Sequence, residues 1–324
     1  MSFQIEFTDK KISPWGGISL MQKMLQKINI NQILHELPLP KQGSNRGYSP
    51  FQLIHLFWLG LWSGANRFEH LEVIRFDDVI KQLYGWSSMP GHKAFQRYFN
   101  KFDQNTNQNV FNNLYSWFFS NLQFDNYTLD FDSTIITRYG NQQGALKGYN
   151  PKKKGRNSHH PLMAFVSDVR MIANFWLRSG NTSAANNFLN FLEDTLGRLE
   201  GKKVGLIRAD SGFYSDQIFK YLESAEKQLN YIIAAKFYLP LKRRLASHKT
   251  WISLDEGIEI AETQYQSPSW DSPRRIIMVR QNIKQRPNAI GKQLELFDDT
   301  TDYYNYRYSC FVTNLELPAK AVYD

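Results

Sequence analysis

Tyr127-Thr128-Leu129-Asp130-Phe131-Asp132-Ser133-Thr134 is the stretch on which the reading of this chain turns. Apolar and polar residues alternate there at period two, the pattern of a strand buried on one face. Leu129 and Phe131 are expected to face a core, and Asp130 and Asp132 to face away from it. A carboxylate near a strand end sits on a rigid support at the sheet margin, where a divalent metal can be held. A second such strand, Val204-Gly205-Leu206-Ile207-Arg208-Ala209-Asp210, runs directly into Ser211-Gly212-Phe213. Taken singly, Asp132 and Asp210 also fit simple turns, since Asp-Ser and Asp-Ser-Gly are ordinary turn chemistry. What surrounds them favours a shared site.

The 324 residues allow two domains and a generous core, and an aromatic share of 15% argues against disorder. A formal net charge of +9 suits a polyanionic partner, although net charge bears on association and not on fold. Cys310 is the single cysteine, so an internal disulfide and a zinc site built on several thiolates are both excluded. One thiol fits a reducing, cytoplasmic setting. Met1-Ser2-Phe3-Gln4-Ile5-Glu6 lacks the basic and then apolar run of a signal peptide. The most apolar stretch, Leu53 to Trp62, is interrupted by His55 and falls short of the ~18–20 residues that span a bilayer. It reads as a buried helix, and no membrane role is expected.

The first 122 residues read as all-helical. Leu20, Met24, Leu25, Ile28, Ile33, Leu34 and Leu37 recur at helical spacing until Pro38 and Pro40 end the run. After a polar linker, Ser49-Pro50 supplies a cap and an N1 proline for a helix carrying Leu53, Ile54, Phe57, Trp58 and Leu61. Further helices are expected over Phe68–Tyr84, Gly91–Phe102 and Val110–Leu122. Phe68–Tyr84 with Gly91–Phe102, which bears Arg97 and Lys101, is a candidate helix-turn-helix. Packed helices with solvated Lys and Arg explain the same pattern.

From Ser133 to Ser167 there is no acidic residue, yet Arg138, Lys147, Lys152, Lys153, Lys154 and Arg156 occur among glycines 140, 144, 148 and 155 and tyrosines 139 and 149. Backbone amides, cations and aromatic faces together suit a sugar–phosphate backbone, whereas a solvated loop is the plainer alternative. His159-His160 could ligate a metal, but with no cysteine or acid nearby, hydrogen-bonding or phosphate roles are preferred. Strands follow at Pro161–Val169 and Ile172–Ser179, then a helix capped by Ser183 and ended by Gly201. Next come the strand Lys203–Ala209, a helix capped by Ser215, and a nearly continuous apolar strand, Asn230–Lys236.

That succession is the ribonuclease H order, an α/β fold with a mixed sheet flanked by helices. Its first and fourth strands are neighbours, so Asp132 and Asp210 are expected to converge at one end. Trp251–Thr263, Arg274–Ile283 and Tyr306–Asn314 favour strands and read as a β-rich insertion after the fifth core strand, its last strand returning to the core. Glu256, Glu259 and Glu262 read as solvated strand residues. The expected domains are 1–122, helical and binding DNA ends; 123–236, the catalytic core; and 237–324, the insertion.

Leu129-Asp130-Phe131-Asp132-Ser133-Thr134, Tyr139-Gly140, Gly144-Ala145, Gly148-Tyr149-Asn150-Pro151, Gly155-Arg156, His160-Pro161-Leu162, Leu177-Arg178-Ser179-Gly180-Asn181 and Arg208-Ala209-Asp210-Ser211-Gly212-Phe213, taken in series, resemble a bacterial insertion-sequence transposase with a DDE catalytic domain. The thirteen-eighty group is the nearest likeness, over essentially the whole chain. The resemblance implies cut-and-paste transposition with two Mg²⁺ ions, for which Mn²⁺ can substitute. It makes Asp132 the first catalytic, metal-binding aspartate and Asp210 the second. Asp130 fits less well, because the family's acid directly precedes the short hydroxyl residues.

Arg138, Lys147, Lys152, Lys153, Lys154, Arg156, His160, Arg208 and Lys236 are the expected DNA contacts. The implied partners are double-stranded DNA, both terminal repeats and target, and a second copy of the chain on that DNA. The implied location is bacterial cytoplasm, at the nucleoid. The chain departs from the family in two places. The third carboxylate, from a Tyr–Arg–Glu helix, has no counterpart, so the chain reads as truncated after Cys310-Phe311-Val312-Thr313-Asn314-Leu315. Gln143 stands where the family has Glu. A non-catalytic DNA-binding remnant or inhibitor is therefore the alternative, and a ribonuclease H-like nuclease with another substrate is a third.

Overall fold

The computed structural model describes residues 9–123, 125–199, 201–283 and 305–324. The chain divides into two compact units, 1–118 and 119–324. In the first unit the helices are α1 (Ile18–Lys27), α2 (Ile30–Glu36), α3 (Pro50–Trp62), α4 (Leu71–Arg75), α5 (Asp78–Tyr84) and α6 (His92–Phe99), and α7 (Gln104–Ser120) runs from it two residues past the division. Ser49 caps α3 as expected, its Oγ accepting from the Gln52 amide at 3.2 Å, with Pro50 at the first helical turn.

Two expected helices are broken, each for a local reason. The periodic run from Ser19 to Leu37 is interrupted at Asn29, whose left-handed backbone (φ 53°) ends one helix and starts the next. Leu20, Met24 and Ile28 of that run stay exposed. Phe68–Tyr84 is split at Asp77, whose carboxylate caps a new helix through the Ile80 amide at 3.0 Å. The candidate helix-turn-helix is therefore a 3-10 turn and two short helices ahead of α6. Lys101 lies beyond α6 and donates to the Lys41 carbonyl. The core of this unit centres on Leu34, Leu56, Leu59, Ile74, Ile80 and Phe95, with Phe68 stacked on Phe95 and Phe99.

The second unit is built on β1 (Tyr127–Ser133), β5 (Leu162–Val166), β6 (Met171–Trp176), β7 (Val204–Ala209) and β8 (Tyr231–Ala234), in the order β6-β5-β1-β7-β8. β1 is antiparallel to β5 and parallel to β7, and β7 is parallel to β8. The first and fourth core strands are thus neighbours, as the ribonuclease H order requires. Between β1 and β5 the chain forms β2 (Ile136–Thr137), β3 (Leu146–Lys147) and β4 (Asn157–His159), a small separate sheet ordered β2-β4-β3. Helices α8 (Phe188–Arg198) and α9 (Asp216–Glu223) complete the core. α8 begins later than expected: Asn187, not Ser183, is its left-handed N-cap.

The β-rich segment after β8 continues the same sheet. It opens with a helix the sequence pattern had not suggested, α10 (Leu239–Ser247), which carries Pro240 in its first turn. It continues as β9 (Ile252–Asp255), β10 (Ile258–Tyr265), β11 (Arg274–Asn282) and β12 (Tyr306–Thr313), with α11 (Ala319–Tyr323) last. β12 returns to pair antiparallel with β8, extending the sheet to nine strands in the order β6-β5-β1-β7-β8-β12-β11-β10-β9. Glu259 and Glu262 take cross-strand arginines, Glu259 meeting Arg280 at 2.6 Å and Glu262 pairing with Arg275, whereas Glu256 lies in the turn between β9 and β10 and not on a strand.

An ionic knot ties this extension to α9. Buried Arg274 meets Asp216 at 2.7 Å and Glu223 at 2.8 Å, with its guanidinium also over Phe219 and Trp270. The Tyr231 hydroxyl donates to Glu223 at 2.6 Å, and burial raises its pKa. Cys310 is buried in β12, where desolvation pushes its thiol up to about 12.

Candidate functional site: a carboxylate pair and a basic loop at one sheet rim

Register brings the two aspartates together. In the parallel β1–β7 pair, Asp130 stands opposite Arg208 and Phe131 opposite Ala209. Asp132 and Asp210 come one step further on, at strands about 4.8 Å apart, and Asp210 keeps an extended backbone. Arg208 grips Asp130 with two hydrogen bonds, of 2.6 and 2.8 Å, so those two side chains share a face. Asp132 and Asp210, two residues further along each strand, return to that face. Phe131 points the other way, edge-on to Phe188 and Phe191 of α8.

Both carboxylates are exposed, and each is anchored by one oxygen. Asp132 Oδ1 accepts from the Ser133 amide at 2.7 Å, and Asp210 Oδ1 from the Gly212 amide at 2.8 Å. The second oxygen of each takes no hydrogen bond among the described residues, which leaves it open to a hard cation. Asp130 differs, because both its oxygens are occupied by Arg208. Among the described residues no group of three or more His, Cys, Asp or Glu side chains is arranged to hold a metal. The pair therefore offers part of a coordination sphere.

The basic loop leaves from and returns to the same rim. Ser133, ending β1, stands opposite Leu162, beginning β5. Residues 134–161 thus hang beside Asp132. Arg138, Lys147, Lys154 and Arg156, with Tyr139 and backbone at Gly140 and Gly155, line a cavity of ≈ 340 Å³ that contains no acid. Arg156 also lies over the Tyr139 ring at 5.9 Å. Lys152, Lys153 and Lys154 project from a turn built on Asn150. That buried side chain accepts from the Lys153 amide at 3.0 Å and donates to Thr137 Oγ1 at 2.9 Å. Lys236 follows β8, whose parallel register with β7 sets it beyond the same rim.

Two expected DNA contacts are otherwise engaged. His160 is buried, its Nδ1 donating to the Thr182 carbonyl at 2.6 Å and its Nε2 meeting Ser133 Oγ at 3.1 Å. The ring braces the turn after Asp132 and offers no nitrogen to a phosphate. His159 is likewise internal, with Nδ1 accepting from Arg138 at 2.9 Å and Nε2 donating to the Gln143 carbonyl at 2.9 Å. Arg208 is held by Asp130 and also donates to Ser167 Oγ. The Asp130 bond raises its pKa.

Several residues that the sequence reading quotes only as parts of motifs have supporting roles here. The Arg178 Nε donates to the His160 carbonyl at 3.0 Å and its Nη1 to the Asn186 carbonyl, latching the loop's return, and burial pulls its pKa down to about 10. Gly148 and Gly180 pack backbone to backbone: a Cβ on Gly148 would lie 1.9 Å from the Gly180 carbonyl oxygen. The Asn150-Pro151 dipeptide was the one local signal for the turn. No local pattern announces a contact such as Gly148–Gly180, which joins distant segments.

The chain is thus an α/β protein whose mixed sheet carries two carboxylates at one rim, beside an acid-free basic cavity. A family model described as "Transposase DDE domain group 1" matches residues 1–320, and the chain belongs to that family. No curated protein matches. Among solved structures, the piggyBac transposase synaptic complex with hairpin DNA is 11% identical over 89% of this chain and 57% of that one, with a TM-score of 0.48. The Drosophila P element transposase strand transfer complex is 12% identical over 71% of this chain and 50% of that one, with a TM-score of 0.35. The chain thus spans about half the length of either. No helix among the described residues is long and apolar enough to cross a membrane.

Proposed function

We propose that this protein is a DNA transposase of the DDE type, cutting and rejoining strands in cut-and-paste transposition of an insertion sequence. The observation that supports the reading is the register of β1 and β7, Asp130 opposite Arg208 and Phe131 opposite Ala209, from which Asp132 and Asp210 follow one step further along neighbouring strands. Their free oxygens fit Mg²⁺, or Mn²⁺, as two of its ligands. A bound pair of such ions would activate the attacking oxygen and stabilise the leaving oxygen of an in-line phosphoryl transfer.

The remaining work belongs to the chain's own side chains. Arg138, Lys147, Lys154 and Arg156 hold phosphate in the cavity beside the aspartates, and their charge is already in place when negative charge builds on phosphorus. Lys152, Lys153 and Lys236 extend that contact along the backbone of double-stranded DNA, element ends and target alike. His160 positions the Ser133 turn, and Asp130 keeps Arg208 away from the metal site. The helical residues 1–122 read the ends, 123–236 catalyse, 237–324 extend the catalytic sheet, and two copies act together on DNA.

A second reading has one observation in its favour, the absence of a third metal-ligating side chain beside the pair among the described residues. On that reading residues 1–324 bind DNA without cutting it and compete with a complete transposase. One experiment separates the two. Duplex DNA bearing the element's ends is incubated with the protein and Mg²⁺, alongside Asp132→Asn and Asp210→Asn. Cleavage abolished by both substitutions supports the transposase. Binding without cleavage supports the competitor. Cleavage undiminished in either variant overturns the assignment of the aspartates. The expected loss exceeds the roughly 10–100-fold typical of an outer-shell partner.

A further inference from the structure

The β-rich extension rises past the level of the aspartates. β8 pairs with β12 as far as Ala234 opposite Phe311, with one further bond from the Ala235 amide to the Cys310 carbonyl at 2.8 Å. Beyond that point β12 keeps β11 as its partner, up to Tyr306 opposite Asn282. Ala209 stands opposite Ile233, so Asp210 is level with Ala234 and Phe311. Arg307 comes four residues beyond Phe311 on the rim side, a rise of about 14 Å, and two strands across from β7, about 10 Å more.

Alternation assigns the faces. Asp130 and Asp210 share a face with Arg208, whose partner in β8 is Ile232. Ile232 stands opposite Thr313, so Phe311, Ser309 and Arg307 fall on that face as well. Low on it, Ile277, Val279 and Phe311 pack with Val322 of α11. Higher up, Arg307 and its cross-strand partner Gln281 are exposed. Glu259 is turned to the opposite face, where Arg280 holds it. β11 and β12 carry four arginines, and three are neutralised: Arg274 by Asp216 and Glu223, Arg275 by Glu262, and Arg280 by Glu259. The Arg307 side chain has no hydrogen bond, ion pair or ring contact among the described residues. Lys236, two residues past Ala234, stands between it and the aspartates.

We propose that Arg307 is a DNA contact, holding a backbone phosphate about five nucleotides from the one at the aspartates. The spacing follows from the roughly 17 Å between Asp210 and Arg307 in the sheet, at ~3.4 Å per nucleotide of one strand. Paired β11 and β12 then form a wall against which the duplex lies, with Lys236 touching the phosphates in between. A guanidinium fixed on a strand and free of carboxylate partners keeps its whole charge for phosphate. The inference rests on the reading of the protein as a DNA transposase and extends the substrate's path beyond the aspartate rim.

The test uses the full chain and a duplex bearing the element's end, read by binding alone. Arg307→Gln should lower the slope of log affinity against log salt by about 0.9. Between about 50 and 200 mM salt the variant then loses about 3.5-fold less affinity than the parent. Arg307→Lys should keep the parent slope, since lysine also neutralises phosphate. Position is read by cross-linking. Cys310 is buried and is the single cysteine, so Arg307→Cys and, in a second protein, Asp210→Cys each present one accessible thiol for a photoactivatable label. The two sets of cross-links should be centred about five nucleotides apart. Neither readout needs cleavage, so a chain that binds without cutting counts against the catalytic reading and leaves this one standing. An unchanged slope in Arg307→Gln, a slope lowered equally in Arg307→Lys, or no cross-link from position 307 while position 210 reacts would each overturn the proposal.

Discussion

Asp130 and Asp132 stand two residues apart on one strand, yet each has a different electrostatic fate. Asp130 is consumed by a two-pronged bond to Arg208, whereas Asp132 keeps an open oxygen at the strand end. The difference bears on Arg208 as well, whose charge is already compensated. Arg208→Gln is expected to leave the salt dependence of DNA affinity unchanged, as fluorescence anisotropy across a salt series would register. It should cost only about 0.2–1 kcal/mol of stability, since the pair is substantially exposed. A slope reduced by about one unit would instead mean that Arg208 neutralises a phosphate.

Single contacts become load paths where elements meet. Glu72 on α4 accepts from the His92 amide at the start of α6 and from both the Arg75 and His92 side chains. The His92 amide bond foremost, then the Arg75 and His92 side-chain bonds, hold its carboxyl down at about 2, against an ordinary 4.5. A depressed acid stabilises the fold above its unfolded value, and that contribution fades as pH falls through the folded one. Between pH 4.5 and about 2, urea unfolding should therefore show a loss of stability that Glu72→Gln diminishes. Arg274 is the corresponding junction between α9 and β11. Arg274→Met would leave Glu223 short of its cation and is expected to cost about 3–5 kcal/mol, measured by the same urea titration. An effect below 1 kcal/mol would show that the knot contributes little net stability.

Across the whole molecule, the positive balance of +9 has a local counterpart in the acid-free loop at the aspartate rim. If Lys152, Lys153 and Lys154 each neutralise one phosphate, replacing all three by alanine should lower the slope of log affinity against log salt by about 2.7, at ~0.9 per contact. An unchanged slope would remove the Asn150 turn from the DNA surface. Much of this organisation was legible beforehand. Period-two alternation marked β1 and β7, the succession of elements gave their adjacency, and Ser49-Pro50 marked the start of α3. The small β2-β4-β3 sheet, helix α10 and the breaks at Asn29 and Asp77 were not. Each depends on a backbone angle, a cap or a distant partner that composition does not reveal.

The sequence by itself determined which residues could be acids on strand ends, where the cations cluster and in what order the strands arise, because alternation and charge are local properties of the chain. Only the tertiary structure decided which of those groups remain free. Register across β1 and β7 assigned Asp130 to Arg208 and left Asp132 with Asp210, and burial turned His160 from a surface contact into an internal brace. The physical reason is that pairing and desolvation are set by neighbours in space, and the partners concerned lie 27 and 78 positions apart along the chain.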